Sequence, residues 1–141
     1  MIIVDTGFWV ALFDHNDHFH QRAVDYMKKA PEPFVSTLPV MTEAAYLLQK
    51  SGGAIRSIAF ARAHVRGAFS VFGVENWHWP RIVELMERYA NLPMDLADAS
   101  LVVLAEELGH GRILSIDQRD FNAYRWKNHH PFQNLFAVPS P

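Results

Sequence analysis

The chain has 141 residues, half of them hydrophobic, and a formal net charge of -2. These values predict one globular domain over residues 1–141 and exclude a disordered chain, and any nucleic-acid binding must then use a local basic patch. The chain has no cysteine, which excludes disulfides and thiolate metal sites. It also has no signal-peptide pattern and no apolar run near the roughly 20 residues of a membrane span, so we expect a cytoplasmic protein.

The first predicted strand, Ile2–Val4, is β-branched and wholly apolar, as suits a strand buried on both faces of a parallel sheet. Asp5 follows it directly, Thr6 and Gly7 can form a turn, and residues 8–13 are predicted to be helical. In open α/β sheets, ligands bind outside the carboxyl ends of the strands. Asp5 alone is better explained as a helix cap, so a functional site requires further carboxylates at equivalent positions.

A polar segment, DHNDHFH at residues 14–20, leads into a helix predicted over residues 19–30. Its histidines and aspartates could suggest a zinc site, but their spacing matches none of the common zinc patterns. We therefore predict a loop here, with Asp17 as the N-cap of the helix.

Five further elements are predicted between residues 34 and 90. A short strand at residues 34–35 is followed by a helix that Ser36 or Thr37 can cap. Glu43 lies beside the apolar stripe of this helix, either as an ordinary solvated glutamate or as a site residue close to the strand end. After a break at residues 51–53 come a helix at 54–65, a strand at 69–74 and a helix at 77–90.

The next predicted helix begins after Pro93 and carries two aspartates at its start. Asp95 can serve as its N-cap, and Asp98 lies near the third position of a capping box. Capping explains one of the two aspartates well and the other less well. Asp95 therefore remains either a cap or an outer residue of an acidic site.

A fourth strand is predicted at residues 112–116, and Asp117 follows it as Asp5 follows the first strand. Residues 117–130 are irregular, aromatic and basic. A last strand is predicted at residues 135–138, before the terminal prolines.

Helical crossovers between parallel strands would bring four carboxylates to one edge of the sheet. They are Asp5, Glu43, Asp98 and Asp117. Like charges at short range raise each other's pKa, and a divalent cation removes this cost. Oxygen ligands favour magnesium or manganese over zinc, and such a centre suits phosphodiester hydrolysis.

Two other enzyme classes that use an aspartate after the first strand are disfavoured. An aspartyl-phosphate enzyme of the haloacid dehalogenase type would have a second aspartate two residues after Asp5, where this chain has Gly7. A receiver domain would have an acidic pair at the end of the strand, and here Val4 precedes Asp5.

Four stretches in order, IIVDTGFWVALFD, STLPVMTEAAYLL, MDLADASLVVLAEELG and ILSIDQRDF, resemble a PIN-domain ribonuclease, specifically a VapC-like toxin of a type II toxin–antitoxin pair. The resemblance implies an α/β fold with three α/β/α layers around a central, mainly parallel sheet. It also implies a magnesium-dependent endoribonuclease, with manganese as a possible substitute. The implied partners are transfer or ribosomal RNA, a small protein antitoxin and a second copy of the chain.

Carried onto this sequence, the resemblance assigns the four acidic positions of the family to Asp5, Glu43, Asp98 and Asp117. Asp5 and Asp98 would bind the metal directly, while the other two would act through water or a second ion. Thr6 would hold a phosphate or a water through its hydroxyl. Asp120 is interpreted as a turn or cap residue.

RNA contacts are predicted in the basic segment after the last acidic position, with Trp126 among them, and a solvated tail packed on the domain is the alternative. The cations concerned are Arg119, Arg125 and Lys127. Exposed aromatic residues would support a dimer, with Phe60, Phe69, Trp77 and Trp79 as candidates. Two alternative functions are a PIN nuclease of RNA processing or decay without antitoxin and a non-catalytic RNA- or protein-binding module.

Overall fold

The computed structural model describes residues 1–136, except for the side chains of Gln118 and Arg119. Helices and strands alternate along most of this range. The strands are β1 (Ile2–Val4), β2 (Phe34–Thr37), β3 (Phe69–Phe72), β4 (Arg112–Leu114), β5 (Arg125–Trp126), β6 (His130–Pro131) and β7 (Gln133–Asn134). The helices are α1 (Thr6–Phe13), α2 (His20–Lys29), α3 (Leu38–Val65), α4 (Trp79–Arg88), α5 (Leu96–Leu108) and α6 (Gln118–Ala123), with a 3-10 turn at Asn76–His78 before α4.

Five strands form one parallel sheet in the order β3-β2-β1-β4-β7. Strand β1 lies at its centre, and its three residues have no exposed surface. Burial of such an aliphatic side chain contributes about 1.5–3 kcal/mol, which explains why this short apolar run forms the central strand. The helices flank the sheet, as the alternating pattern predicts, whereas β5 and β6 form a separate antiparallel pair.

Helix α5 supplies much of the core between the sheet and α4. Eight of its residues are buried, from Ala97 and then Ala99 through Ala105. Small residues such as Ala99 and Ser100 allow the helix to approach β1 and β2 closely. An aromatic cluster of Phe8, Trp9, Phe34, Phe60 and Phe69 fills the opposite part of the core.

The predicted break within α3 is confirmed at Gly53, which has φ 78° and ψ -175°. This φ lies in the region that favours glycine, so the chain changes direction there between two helical segments. The expectation that Asp17 caps α2 is wrong. Its carboxylate accepts a hydrogen bond from the Phe19 backbone N–H at 2.8 Å in a turn, and the helix starts only at His20.

The predicted last strand is displaced. Strand β7 ends at Asn134, Leu135 and Phe136 form a turn, and residues 137 and 138 lie outside the described residues. The Asn134 side chain accepts a hydrogen bond from the Ser115 N–H and donates one to the Ser115 carbonyl. It also accepts one from the Phe136 N–H. The Asn134 side chain thus takes the place of backbone hydrogen bonds between strands, and the chain turns after it. Within residues 1–136, no helix combines the length and the apolar character needed to cross a membrane.

The expected N-cap of α5 is confirmed, because Asp95 Oδ1 accepts a hydrogen bond from the Asp98 backbone N–H at 2.8 Å. We predict that Asp95→Ala lowers the free energy of unfolding by about 0.5–2 kcal/mol, since this N–H loses its acceptor. Asp95→Asn should retain most of that stability, because asparagine caps helices about as well as aspartate. Chemical denaturation of the two variants beside the wild type measures both values, and equal losses would contradict the capping role.

Candidate active site

A cleft of about 340 Å³ opens at the carboxyl edge of the parallel sheet, beside the ends of β1 and β4. It contains all four acids that the sequence predicts and two more. Its acidic lining residues are Asp5, Glu43, Asp95, Asp98, Asp117 and Asp120. Among the described residues, no lysine or arginine lines it. The cleft is therefore strongly acidic and would repel an anion by itself.

Asp5 is the most deeply placed of these acids, with 8% of its surface exposed. The register of β1 on β4 fixes its position, and its backbone N–H donates to the Leu114 carbonyl at 3.0 Å. Its carboxylate caps α1 by accepting from the Thr6 N–H at 2.7 Å, and it accepts from the Ser115 hydroxyl at 3.0 Å. Burial nevertheless dominates and raises the pKa of Asp5 to about 6, so capping and a site role coincide in this residue.

Asp98 faces Asp5 from the first turn of α5. Burial, followed by the charges of Asp5 and Asp95, raises its pKa to about 8. Its side chain does not complete a capping box with Asp95, because Oδ2 accepts a hydrogen bond from the Tyr124 hydroxyl at 2.9 Å. Burial and the charge of Asp98 raise the pKa of the Tyr124 phenol, which keeps it protonated as the donor.

The remaining acids differ in their exposure. Glu43 is half-buried on α3, as Asp98 is on α5, while Asp117 is exposed at the start of α6 and makes no side-chain capping bond. Asp120, which we interpreted as a turn or cap residue, lies in the first turn of α6 and lines the cleft. The prediction that residues 117–130 are irregular is wrong for Gln118–Ala123, which form α6.

Thr6 lies on the floor of the cleft beside Asp5 and is 5% exposed. Its hydroxyl has no hydrogen-bond partner among the described residues. A buried hydroxyl without a partner is costly, so this atom is a natural contact for a ligand or a water in the cleft.

A hard divalent cation fits this donor set. The lining offers carboxylate oxygens and one unpaired hydroxyl, which suit magnesium or manganese. Within residues 1–136, no three acidic or histidine side chains are arranged as a ready-made metal cage. Magnesium commonly uses only one or two carboxylates and retains several waters, so a site for it would not require a complete cage of protein ligands.

Of the predicted RNA-binding cations, the two whose side chains are described, Arg125 and Lys127, lie outside this cleft. The Arg125 guanidinium donates to the carbonyls of Asn122 and Tyr124, at 2.8 and 2.9 Å. Lys127 is exposed, with its ammonium 6.0 Å from the Trp126 ring centroid, and the side chain of Arg119 is not described. Trp126 is half-buried and stacks on His130, which agrees with packing on the domain.

Sequence reasoning missed Ser115 and Tyr124, the two hydroxyl donors to the central carboxylates. Ser115 offers a weak signal, since it is a polar residue at the end of an apolar strand and two positions before Asp117. The sequence around Tyr124 offers no such signal, because its partner Asp98 lies 26 positions away on α5.

An apolar groove of about 660 Å³ adjoins the acidic cleft and shares Glu43 and Asp95 with it. Its lining includes Leu38, Tyr46 and Trp79, which are 60%, 63% and 44% exposed. The expected exposure of Trp79 and Trp77 is confirmed. Exposure of Phe60 and Phe69 is contradicted, because their rings stack on each other inside the core.

Comparisons with known proteins agree with this arrangement. The ribonuclease VapC26 of Mycobacterium tuberculosis is 26% identical over 124 residues, which cover 88% of this chain and 92% of the relative. The crystal structure of VapC20 of Mycobacterium tuberculosis, described as a Sarcin-Ricin loop cleaving toxin, superposes with a TM-score of 0.78 and 22% identity. The match covers 84% of this chain and 92% of VapC20, and it confirms the predicted α/β/α fold. The model of the PIN domain matches residues 2–127, and the chain therefore belongs to the PIN domain family.

Proposed function

We propose that this single-domain chain is a magnesium-dependent endoribonuclease and acts as the toxin of a toxin–antitoxin pair in the cytoplasm. The names of the two similar proteins, a ribonuclease and a Sarcin-Ricin loop cleaving toxin, support this activity class. The observation that carries the proposal is a pair of neighbouring carboxylates, the buried Asp5 and the half-buried Asp98, in a cleft whose described lining holds no basic side chain. Such a cleft can accept a phosphodiester only together with a cation.

Asp5 and Asp98 would hold the magnesium ion. When bound there, the ion supplies the Lewis acid that activates water and neutralises the negative charge of the phosphate in the transition state. Glu43 and Asp117, nearer the mouth of the cleft, would orient waters. The Thr6 hydroxyl would donate to a phosphate oxygen or position a water.

The RNA substrate would approach from the open side of the cleft, where Asp117 is exposed. A single-stranded loop suits this geometry, since splayed nucleotides expose their backbone to a small site. Loops of transfer or ribosomal RNA are our proposed targets. The cations Arg119, Arg125 and Lys127 would contact the RNA outside the cleft.

The proposed antitoxin would block the same acids. An arginine side chain inserted into the cleft could pair with Asp5 and Asp98 through its planar donors and remove the need for a metal. The contiguous apolar groove provides a route by which a protein partner or a second copy of this chain could reach the cleft.

We predict that the wild-type protein cleaves RNA with magnesium or manganese and that chelation with EDTA abolishes cleavage. Asp98→Asn should lose at least about 100-fold in rate, because the amide keeps the shape and the bond from Tyr124 but carries no charge to bind the cation. Cleavage of total, transfer and ribosomal RNA pools, with mapping of the new ends, measures this directly.

Glu87→Gln is the matched control, since Glu87 is exposed on α4 outside the cleft and the change likewise removes one negative charge. It should cleave as the wild type does. In cells, expression of the wild type and of Glu87→Gln should arrest growth, and Asp98→Asn should not. Cleavage that continues in EDTA would refute the metal mechanism, while cleavage without growth arrest would favour an RNA-processing nuclease.

We predict that the metal-free protein becomes less stable as the pH rises from about 4 to 8. The folded pKa values of Asp5 and Asp98, about 6 and 8, lie above the ordinary value of 3.8, so the folded state holds more protons in this window. Thermal unfolding in EDTA should show the smallest Tm difference between Asp98→Asn and the wild type near pH 4, and the Tm of Asp98→Asn should exceed that of the wild type increasingly up to about pH 8. Magnesium should raise the Tm of the wild type most at high pH. A difference in Tm between Asp98→Asn and the wild type that does not change with pH would contradict the raised pKa of Asp98.

We predict a homodimer in solution whose interface includes the apolar groove. Leu38→Glu, on the groove, should weaken dimerisation by about tenfold or more, because it would bury an unpaired carboxylate among apolar residues. Ile55→Glu is the control, since Ile55 is 83% exposed on α3 outside the groove. Light scattering over a dilution series measures both. A monomeric wild type would exclude the dimer, and dissociation by Ile55→Glu alone would move the interface to that part of α3.

A further inference from the structure

Tyr124 is a fully buried tyrosine that directs its only polar atom at Asp98. It lies directly after α6, where its backbone N–H donates to the Asp120 carbonyl at 3.0 Å. Its ring packs edge-on against Phe121 and Tyr89, with centroid distances of 5.1 and 5.0 Å. Backbone and ring are thus both held, so the direction of the hydroxyl is set by packing.

The hydroxyl removes the main remaining freedom of Asp98. The backbone of Asp98 is fixed by the cap bond from its N–H to Asp95, but its carboxylate could still rotate about the last side-chain bond. Donation from Tyr124 to Oδ2 at 2.9 Å fixes that rotation. The other oxygen, Oδ1, accepts no hydrogen bond from the residues that the structure describes.

The same arrangement occurs at the facing carboxylate. Asp5 Oδ2 accepts from the Ser115 hydroxyl at 3.0 Å, and its Oδ1 accepts from the Thr6 N–H. Each of the two acids therefore has an oxygen held by a hydroxyl from an element other than its own. Partners of this kind orient metal ligands, and their loss commonly weakens metal binding by about 10–100-fold.

We propose that Tyr124 is a positioning residue for the divalent cation, because its hydroxyl holds Asp98 with one carboxylate oxygen left for the metal. This inference rests on the proposed function, since it requires Asp98 to bind a cation. Tyr124 itself touches neither RNA nor metal in this role, and it acts only through the orientation of Asp98.

Tyr124→Phe tests the role, because it keeps the ring and removes only the hydroxyl. Binding of manganese alone, measured by electron paramagnetic resonance of the free ion, should weaken by about 10–100-fold. In RNA cleavage, the magnesium concentration for half-maximal rate should rise to a similar extent. The rate at saturating magnesium should recover to within about threefold, as expected when ligand orientation and not chemistry is lost.

Tyr89→Phe is the matched control. The Tyr89 hydroxyl accepts a hydrogen bond from the Arg125 N–H at 3.0 Å, and its ring contacts Tyr124, so this variant also loses one partly buried hydroxyl contact in the same cluster. It should bind manganese like the wild type. Melting temperatures of both variants separate a loss of folding from a loss of metal affinity.

A double variant tests whether Tyr124 acts through Asp98. In an Asp98→Asn background, Tyr124→Phe should weaken the residual manganese binding no further. The inference is overturned if Tyr124→Phe binds manganese like the wild type, if Tyr89→Phe weakens binding equally, or if the double variant shows an additive loss. A wild type that binds manganese but cleaves no RNA would instead overturn the proposed function and leave the positioning role standing.

Discussion

Two neighbouring carboxylates that are withdrawn from solvent at the end of a parallel sheet are the constraint on which the site depends. Asp5, which is buried, follows the central strand, and Asp98, which is half-buried, lies at a helix start. Desolvation and mutual repulsion raise their pKa values to about 6 and 8, so two negative charges are unfavourable there. A protein that needed only stability would replace them with apolar residues of similar size. Their retention in this cleft is understandable if a cation completes the arrangement, because the cation removes both the desolvation and the repulsion.

The polar residues behind the cleft make the arrangement rigid. The Ser36 hydroxyl donates to the Val4 carbonyl at 2.8 Å, and the Thr37 and Ser100 hydroxyls are 2.6 Å apart. These bonds connect β2 to β1 and to α5 within the core, where every unpaired polar group would be costly. They therefore fix the spacing between the elements that carry Asp5 and Asp98. A metal site needs such a frame, since its ligands must keep their separation when the ion is absent.

The parts of the fold that could be predicted from the sequence depend on local signals. The apolar run of β1, the acid that follows it and the cap at Asp95 are each defined within a few residues. Ser115 and Tyr124 could not be assigned, because their partners lie 110 and 26 positions away and only the packed fold brings them together. The expected exposure of Phe60 is likewise wrong, since the sequence shows that the residue is apolar but not which neighbours cover it.

Under the proposed function, the acidity of the cleft would also link RNA binding to the metal. Neither of the two described basic residues near the cleft lines it. The Arg125 guanidinium donates hydrogen bonds to backbone carbonyls, and Lys127 is exposed beside Trp126. A phosphate that entered the metal-free cleft would meet only like charges, and these repel more strongly as the dielectric falls with depth. In the proposed mechanism, only the cation-loaded cleft would attract a phosphodiester, so substrate binding would depend on the metal through electrostatics. An inhibitor that brings its own positive charge would exploit the same imbalance and compete with the metal and the substrate together.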